Sequence, residues 1–241
     1  MAAELPELDV LAIAAHPDDV EQTCGGTLIR MAEMGYRTGV LDLTAGEWGT
    51  RGDPQLRLRE AEKAARLLKL SWRSNLGLPD ARMENSLEVR QKVAAQIRRL
   101  RPRVVILPYW KARHPDHYRA SEIGYEACFL AGLAKLQTDA PPYRPYKILY
   151  ASLYAHVRPC FVVDISEYFD QRMQALFAYD SQYGECEQGT ELFPDRQEIR
   201  DRLMAIARFY GNLIGVRYGE PFVVKETLRV DDIVRLGSPT F

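Results

Sequence analysis

No Cys-x-x-Cys pair, no long apolar run and no surplus of either charge mark this 241-residue chain. Its four cysteines (Cys24, Cys128, Cys160 and Cys186) are scattered, which argues against a zinc ribbon or a disulfide framework and fits reduced thiols in a cytoplasm. No apolar stretch reaches the ~18 residues of a membrane-spanning helix. The Met-Ala-Ala-Glu start has neither the basic stretch nor the apolar core of a secretion signal. Lys and Arg (32) balance Asp and Glu (33), leaving a net charge of −1. Neither nucleic acid nor an anionic membrane is therefore an expected partner. No G-x-G-x-x-G follows the first apolar segment, which weakens a dinucleotide-binding reading. Histidine is scarce too, at four residues, so the position of each is informative.

What is present is an alternation. Residues 8–15 (LDVLAIAA) are almost continuously apolar, the pattern of a strand buried on both faces of a parallel sheet. A turn with Pro17 and two aspartates follows, then a helix over 25–34 with Gly35 as its stop. Residues 38–44 read as a second strand and 54–70 as a helix. A strand near Asn75, a helix over 88–100, a strand over 104–107 and a helix from Pro115 continue the pattern. Pro141-Pro142 marks a loop; strands over 147–153 and 161–163 and helices over 168–179 and 196–214 follow. This order predicts one α/β domain over 1–241, Rossmann-like and three-layered, with a mainly parallel sheet flanked by helices. Ligands of such sheets sit beyond the carboxyl ends of strands. Chemistry is expected just after Ala15, Thr44 and Leu107. Residues 183–190, with two glycines and two glutamates, read as a mobile surface loop.

Three of the four histidines fall at two of those ends. His16 opens His-Pro-Asp-Asp, and His114 and His117 bracket His-Pro-Asp-His. Imidazole with carboxylate is a ligand mixture suited to Zn²⁺, with Fe²⁺ also acceptable. His16 and Asp19 meeting a histidine of the second cluster would leave a coordination position open for water, as a catalytic site requires. Asp18 and Asp19 are adjacent and unsuited to binding one ion side by side. A division of labour follows, with Asp19 as ligand and Asp18 as general base. Pro115 suits the first helical position, which sets His114 and His117 near one face of the first turn, with Asp116 orienting or charging one imidazole. A lone His-Pro or Asp-Asp usually marks a turn; two His-Pro-Asp tripeptides at strand ends are harder to explain that way. His156 has no such company and reads as structural or superficial. In the loop after the second strand three glycines permit close approach to a ligand. Glu47, Arg51 and Arg57 are the candidate substrate contacts there, the arginines for a carboxylate or sugar hydroxyls.

The two clusters, in residue type, order and separation, resemble the LmbE-like (PIG-L) deacetylase family. The segments LTAGEWGTRG (43–52), LPD (78–80), FVVDISEYF (161–169) and YGNLIGVRYGE (210–220) look like its bacillithiol-biosynthesis branch. That resemblance implies hydrolysis of the acetamide of N-acetylglucosaminyl malate to glucosaminyl malate and acetate. It implies His16, Asp19 and His117 as zinc ligands and Asp18 as base. It also implies His114 as oxyanion stabiliser tuned by Asp116, Arg57 as a substrate contact, and a symmetric homo-oligomer. Some relatives place a tyrosine two residues before the first histidine of the second motif; here Ala112 stands there. The alternatives are an amino-sugar substrate such as chitobiose, an amidase for thiol conjugates, and, from another class, a non-catalytic Rossmann-like module binding metal or nucleotide.

Overall fold

The structure, a computed structural model, describes residues 6–153, 155–184, 194–232 and 237. Cys186 and residues 185–190 of the expected surface loop lie outside these.

The strands are β1 (Val10–Ala14), β2 (Thr38–Thr44), β3 (Trp72–Leu78), β4 (Val104–Pro108), β5 (Lys147–Ala151), β6 (Phe161–Asp164) and β7 (Gly219–Val223). Between them run α1 (Asp19–Thr23), α2 (Gly25–Glu33), α3 (Pro54–Leu67), α4 (Leu87–Leu100) and α5 (Pro115–Ala131). The helices α6 (Phe169–Leu176), α7 (Asp180–Tyr183) and α8 (Arg196–Asn212) follow β6. The sheet order is β3-β2-β1-β4-β5-β7-β6. The first five strands in that order are parallel. The chain grows outward from β1 to β3, then crosses back to lay β4 on the other side of β1. A crevice at the carboxyl ends opens where the winding reverses.

Every residue of β1 is buried because both sheet faces are covered, which accounts for its unbroken apolar run. Leu11 and Ile13 pack with Val93 and Ile97 of α4 and Ile123 and Ala127 of α5. Val10, Ala12 and Ala14 face Val20 of α1, Leu28 and Ile29 of α2 and Ala175 of α6. Helix starts are fixed locally: the Asp53 carboxylate accepts from the Leu56 N–H at 2.9 Å, with Pro54 at the first position of α3. Gly35 takes φ +87° just past α2, the left-handed stop its position predicts. No described helix is long and apolar enough to cross a membrane.

One strand is not visible in the sequence pattern. β7 (GEPFV) lies antiparallel between β5 and β6. Glycine and proline are depleted in strands, so the segment has a weak signal. Pro221 is tolerated because the β5 ladder involves only Phe222 and Val223, while Pro221 pairs with Val162 on the other side.

Candidate active site

The end of β1 turns sharply into α1, and Asp18 takes the turn with φ +100°. A non-glycine residue there is strained, by about 1–3 kcal/mol, so its surroundings must hold it. They do. The Arg57 Nη2 donates to Asp18 Oδ1 at 2.9 Å and to the Pro17 carbonyl at 2.8 Å, while Nε reaches the same carbonyl at 3.2 Å. The Tyr183 hydroxyl donates to Asp18 Oδ2 at 2.6 Å. Both Asp18 and Arg57 are buried.

One residue on, Asp19 faces two imidazoles. Its Oδ1 lies 3.1 Å from His117 Nε2 and its Oδ2 3.6 Å from His16 Nδ1. The Oδ2 also accepts the His16 backbone N–H at 2.9 Å. Burial alone would push the Asp19 carboxyl up, but the His117 and His16 imidazoles outweigh it and hold that carboxyl well below its ordinary range. The opposite edge of His16 is occupied: Nε2 meets Asp80 Oδ1 at 3.0 Å and Asp116 Oδ2 at 3.4 Å. Burial disfavours the imidazolium of His16, yet Asp116, Asp19 and Asp80 raise it well above its ordinary value. His117 is raised the same way, with Asp19 overcoming its burial.

This donor set fits a divalent cation. His16, His114 and His117 present ring nitrogens within 4.8 Å of one another, and Asp19 bridges two of those rings. A metal held by His16 Nδ1, Asp19 and His117 Nε2 leaves His16 Nε2 to its carboxylates, the arrangement that fixes ring orientation in metal sites. A second grouping, His16 with Asp80 and Asp116, is wholly buried.

His114 caps α5, its Nδ1 accepting the Asp116 N–H at 3.2 Å. Nδ1 therefore offers a lone pair, and any ring N–H is at Nε2. Burial and the neighbouring His16 and His117 lower its pKa. The Asp116 carboxylate opposes that lowering from a distance, and its direct contacts are elsewhere. That carboxylate accepts the Ala81 N–H at 2.8 Å and lies against His16, because the first turn of α5 aims it back toward β1.

The loop after β2 packs closely on the protein itself. Gly46 and Gly49 make room for Arg57, and Gly52 for Ser181, so the close approach is to the protein itself. Arg57 is buried, with its guanidinium on Asp18 and on the Pro17 carbonyl. Arg51 is buried, with Nη1 donating to the Gln182 carbonyl at 3.1 Å. One oxygen of Glu47 accepts the Asp80 N–H at 2.7 Å, which ties this loop to the end of β3. His156 is exposed and rests on Phe209.

Two residues escaped the sequence reading. Asp80 follows β3, a fourth carboxyl end whose Leu-Pro-Asp was visible as a segment but not as a site. Tyr183 arrives from α7, about 165 residues after Asp18, and no local pattern announces it.

The PIG-L family model, described as GlcNAc-PI de-N-acetylase, matches residues 11–128, which contain both histidine clusters. The chain is 31% identical to a diacetylchitobiose deacetylase from Thermococcus kodakarensis, over 88% of this chain and 80% of that protein. It is 30% identical to a probable N-acetyl-alpha-D-glucosaminyl L-malate deacetylase 2 from Bacillus anthracis, over 73% and 82%. Among solved structures it resembles the conserved protein TT1542 from Thermus thermophilus, with a TM-score of 0.84 and 41% identity over 93% and 98% of the two chains. With its clustered histidines and aspartates at the β1 and β4 ends, the chain belongs to the PIG-L (LmbE-like) family of N-acetylglucosamine-type deacetylases.

Proposed function

We propose that this chain is a zinc-dependent N-deacetylase that hydrolyses the acetamide of an N-acetylglucosamine unit in a small glycoside. The observation carrying this reading is the strained Asp18, held by Arg57 and Tyr183, beside the His16–Asp19–His117 donor set. A non-catalytic binding module would have no use for a carboxylate preorganised in this way.

A zinc ion in that set supplies Lewis acidity, activating water and polarising the acyl carbonyl. The rest belongs to the chain. Asp18 takes the proton of the attacking water; with Oδ1 on Arg57 and Oδ2 on Tyr183, its carboxylate cannot rotate away. His114, across the donor set and exposed on one side, donates from Nε2 to the oxygen that becomes negative. Losing one such donor costs roughly 10²–10³ in rate. Asp18 then returns its proton to the departing amine.

The substrate follows from what remains open. Arg51, Arg57 and Arg113 together would favour an anionic aglycone such as malate. Arg57 is committed to Pro17 and Asp18, and Arg51 is buried against Gln182. Arg113 alone of the three lines the open groove beside His114. We therefore put a neutral saccharide aglycone, diacetylchitobiose, first, consistent with the relative that covers more of the chain. N-acetylglucosaminyl malate is the second reading, favoured by Arg113. A symmetric homo-oligomer in the cytoplasm completes the proposal, and light scattering checks the assembly.

Acetate release from diacetylchitobiose, N-acetylglucosaminyl malate and a thiol conjugate, by protein loaded with Zn²⁺ or Fe²⁺, tests all of this. Asp18→Ala should keep its metal and lose turnover, whereas His16→Ala should lose metal. Full activity in Asp18→Ala would reject the proposed base.

A further inference from the structure

A small recess opens behind the donor set. Asp19, His117, Tyr109 and Lys111 bring polar groups to its wall, and Ala14, Val20, Cys24, Ile106 and Ala151 are among its apolar residues. The Thr23 hydroxyl, also on the wall, is already satisfied by donating to the Asp19 carbonyl at 2.9 Å. The Cys24 thiol is kept neutral, its pKa pushed up by burial. The cavity volume is about 20 Å³. A single water needs roughly 10–15 Å³ measured this way, so the recess takes one methyl-sized group and no chain. His117 and Leu153 line this recess and also the open groove that holds Arg113 and His114. Two compartments thus meet at the donor set, one narrow, at about 20 Å³, and the other wide, at about 340 Å³.

We propose that the recess is the acyl slot of the enzyme and that it selects N-acetyl over longer N-acyl substrates. This inference rests on the N-deacetylase reading. An amide whose carbonyl sits at the donor set has two substituents to place. At about 20 Å³ the recess has no room for a sugar ring, which the wider groove beside His114 does have. An acyl methyl loses nothing there and leaves water. The methyl therefore goes inward beneath α1, and the amino sugar goes out toward Arg113. One extra methylene in a filled apolar pocket lowers specificity by about 10–200-fold, which sets the expected discrimination.

The test compares N-acetyl, N-propionyl and N-butyryl forms of one amino sugar, read as kcat/KM for release of the free acid. The parent should prefer acetyl over propionyl by about 10–200-fold, with butyryl lower still. Val20→Ala and Cys24→Ala, which widen the recess from different sides, should each lower the acetyl/propionyl ratio by at least about fivefold. Metal content and thermal midpoint are measured alongside. If Val20→Ala fails to fold, the Cys24→Ala ratio decides. Equal turnover of all three acyl forms by the parent, or a ratio moved by neither variant, overturns the acyl slot while leaving deacetylation intact. No acetate release from any amino sugar would instead defeat the underlying reading.

Discussion

Arg57 and Asp18 are joined at 2.9 Å in a buried pair, and the same guanidinium grips the carbonyl of Pro17. One side chain from α3 thereby fixes both the peptide entering the strained Asp18 turn and the carboxylate that leaves it. Burial opposes the charge on Arg57, but Asp18, Tyr183 and Asp19 around it raise its pKa, so it stays cationic throughout. In the proposed mechanism its role is to position the base.

Replacing Arg57 by lysine keeps the charge and loses the fork that reaches Pro17 and Asp18 together. The expected result is a fall in kcat on the order of 10²-fold, the cost of a misplaced catalytic group, with KM and metal content nearly unchanged. Steady-state kinetics beside metal analysis of Arg57→Lys decide it. A rise in KM alone would return Arg57 to the substrate-contact role.

Gly46 is the seat of that arginine. A Cβ there would lie 2.2 Å from Arg57 Nη1, and the backbone has φ +67°. Gly46→Ala should cost about 1–3 kcal/mol in backbone strain and lower kcat in the same way as Arg57→Lys. Combining the two changes should give much less than the product of their separate effects, since both act on one contact. Fully multiplicative losses would count against this.

Asp80 holds the far edge of His16, and two hydrogen bonds tie it in turn to Trp48 and Glu47. Asp80→Asn should weaken metal binding by about 10–100-fold, read by competition with a chromophoric chelator. Unaltered affinity would show that His16 is oriented without it.

Beneath α1 a buried ionic group clamps the helix to the sheet. Arg73 donates to Asp42 Oδ2 at 2.8 Å and to Glu21 Oε1 at 2.7 Å. Burial raises both carboxyls above their ordinary range despite Arg73. The folded state therefore holds protons that the unfolded chain has released, and this contribution to stability is lost as pH rises through the raised values. Arg73→Met removes the one cation of the group and should cost about 3–5 kcal/mol. The loss should be greater at about pH 7.5 than at about pH 5, measured by urea unfolding of metal-free protein. An equal loss at both would mean that the carboxylates do not titrate with folding.

Much of this was written locally. The continuous apolar run of β1, Gly35 after α2 and Pro115 at the start of α5 each carry their own physical signal, so the alternating elements and the parallel sheet could be read in order. The antiparallel β7 could not, because its Gly and Pro contradict strand propensity and only pairing with β6 and β5 stabilises it. The His-Pro-Asp clusters were legible for a similar reason: metal chemistry restricts which residue types serve, and strand ends restrict where they serve.

What the sequence by itself determined is therefore the alternating order of elements and the residue types available for chemistry at the ends of β1 and β4. Which groups face one another was decided by the tertiary structure. The winding reverses between β1 and β4, and only that neighbourhood brings His117 to Asp19. Asp80 reaches His16 from β3, and Tyr183 reaches Asp18 from α7 across most of the chain. Arg57 reads from its sequence position as a substrate contact, and in the fold its guanidinium meets Pro17 and Asp18; a guanidinium near a site can bind either a ligand or the protein's own carboxylate. The choice depends on the direction of one side chain, which is set by packing and has no counterpart in residue spacing.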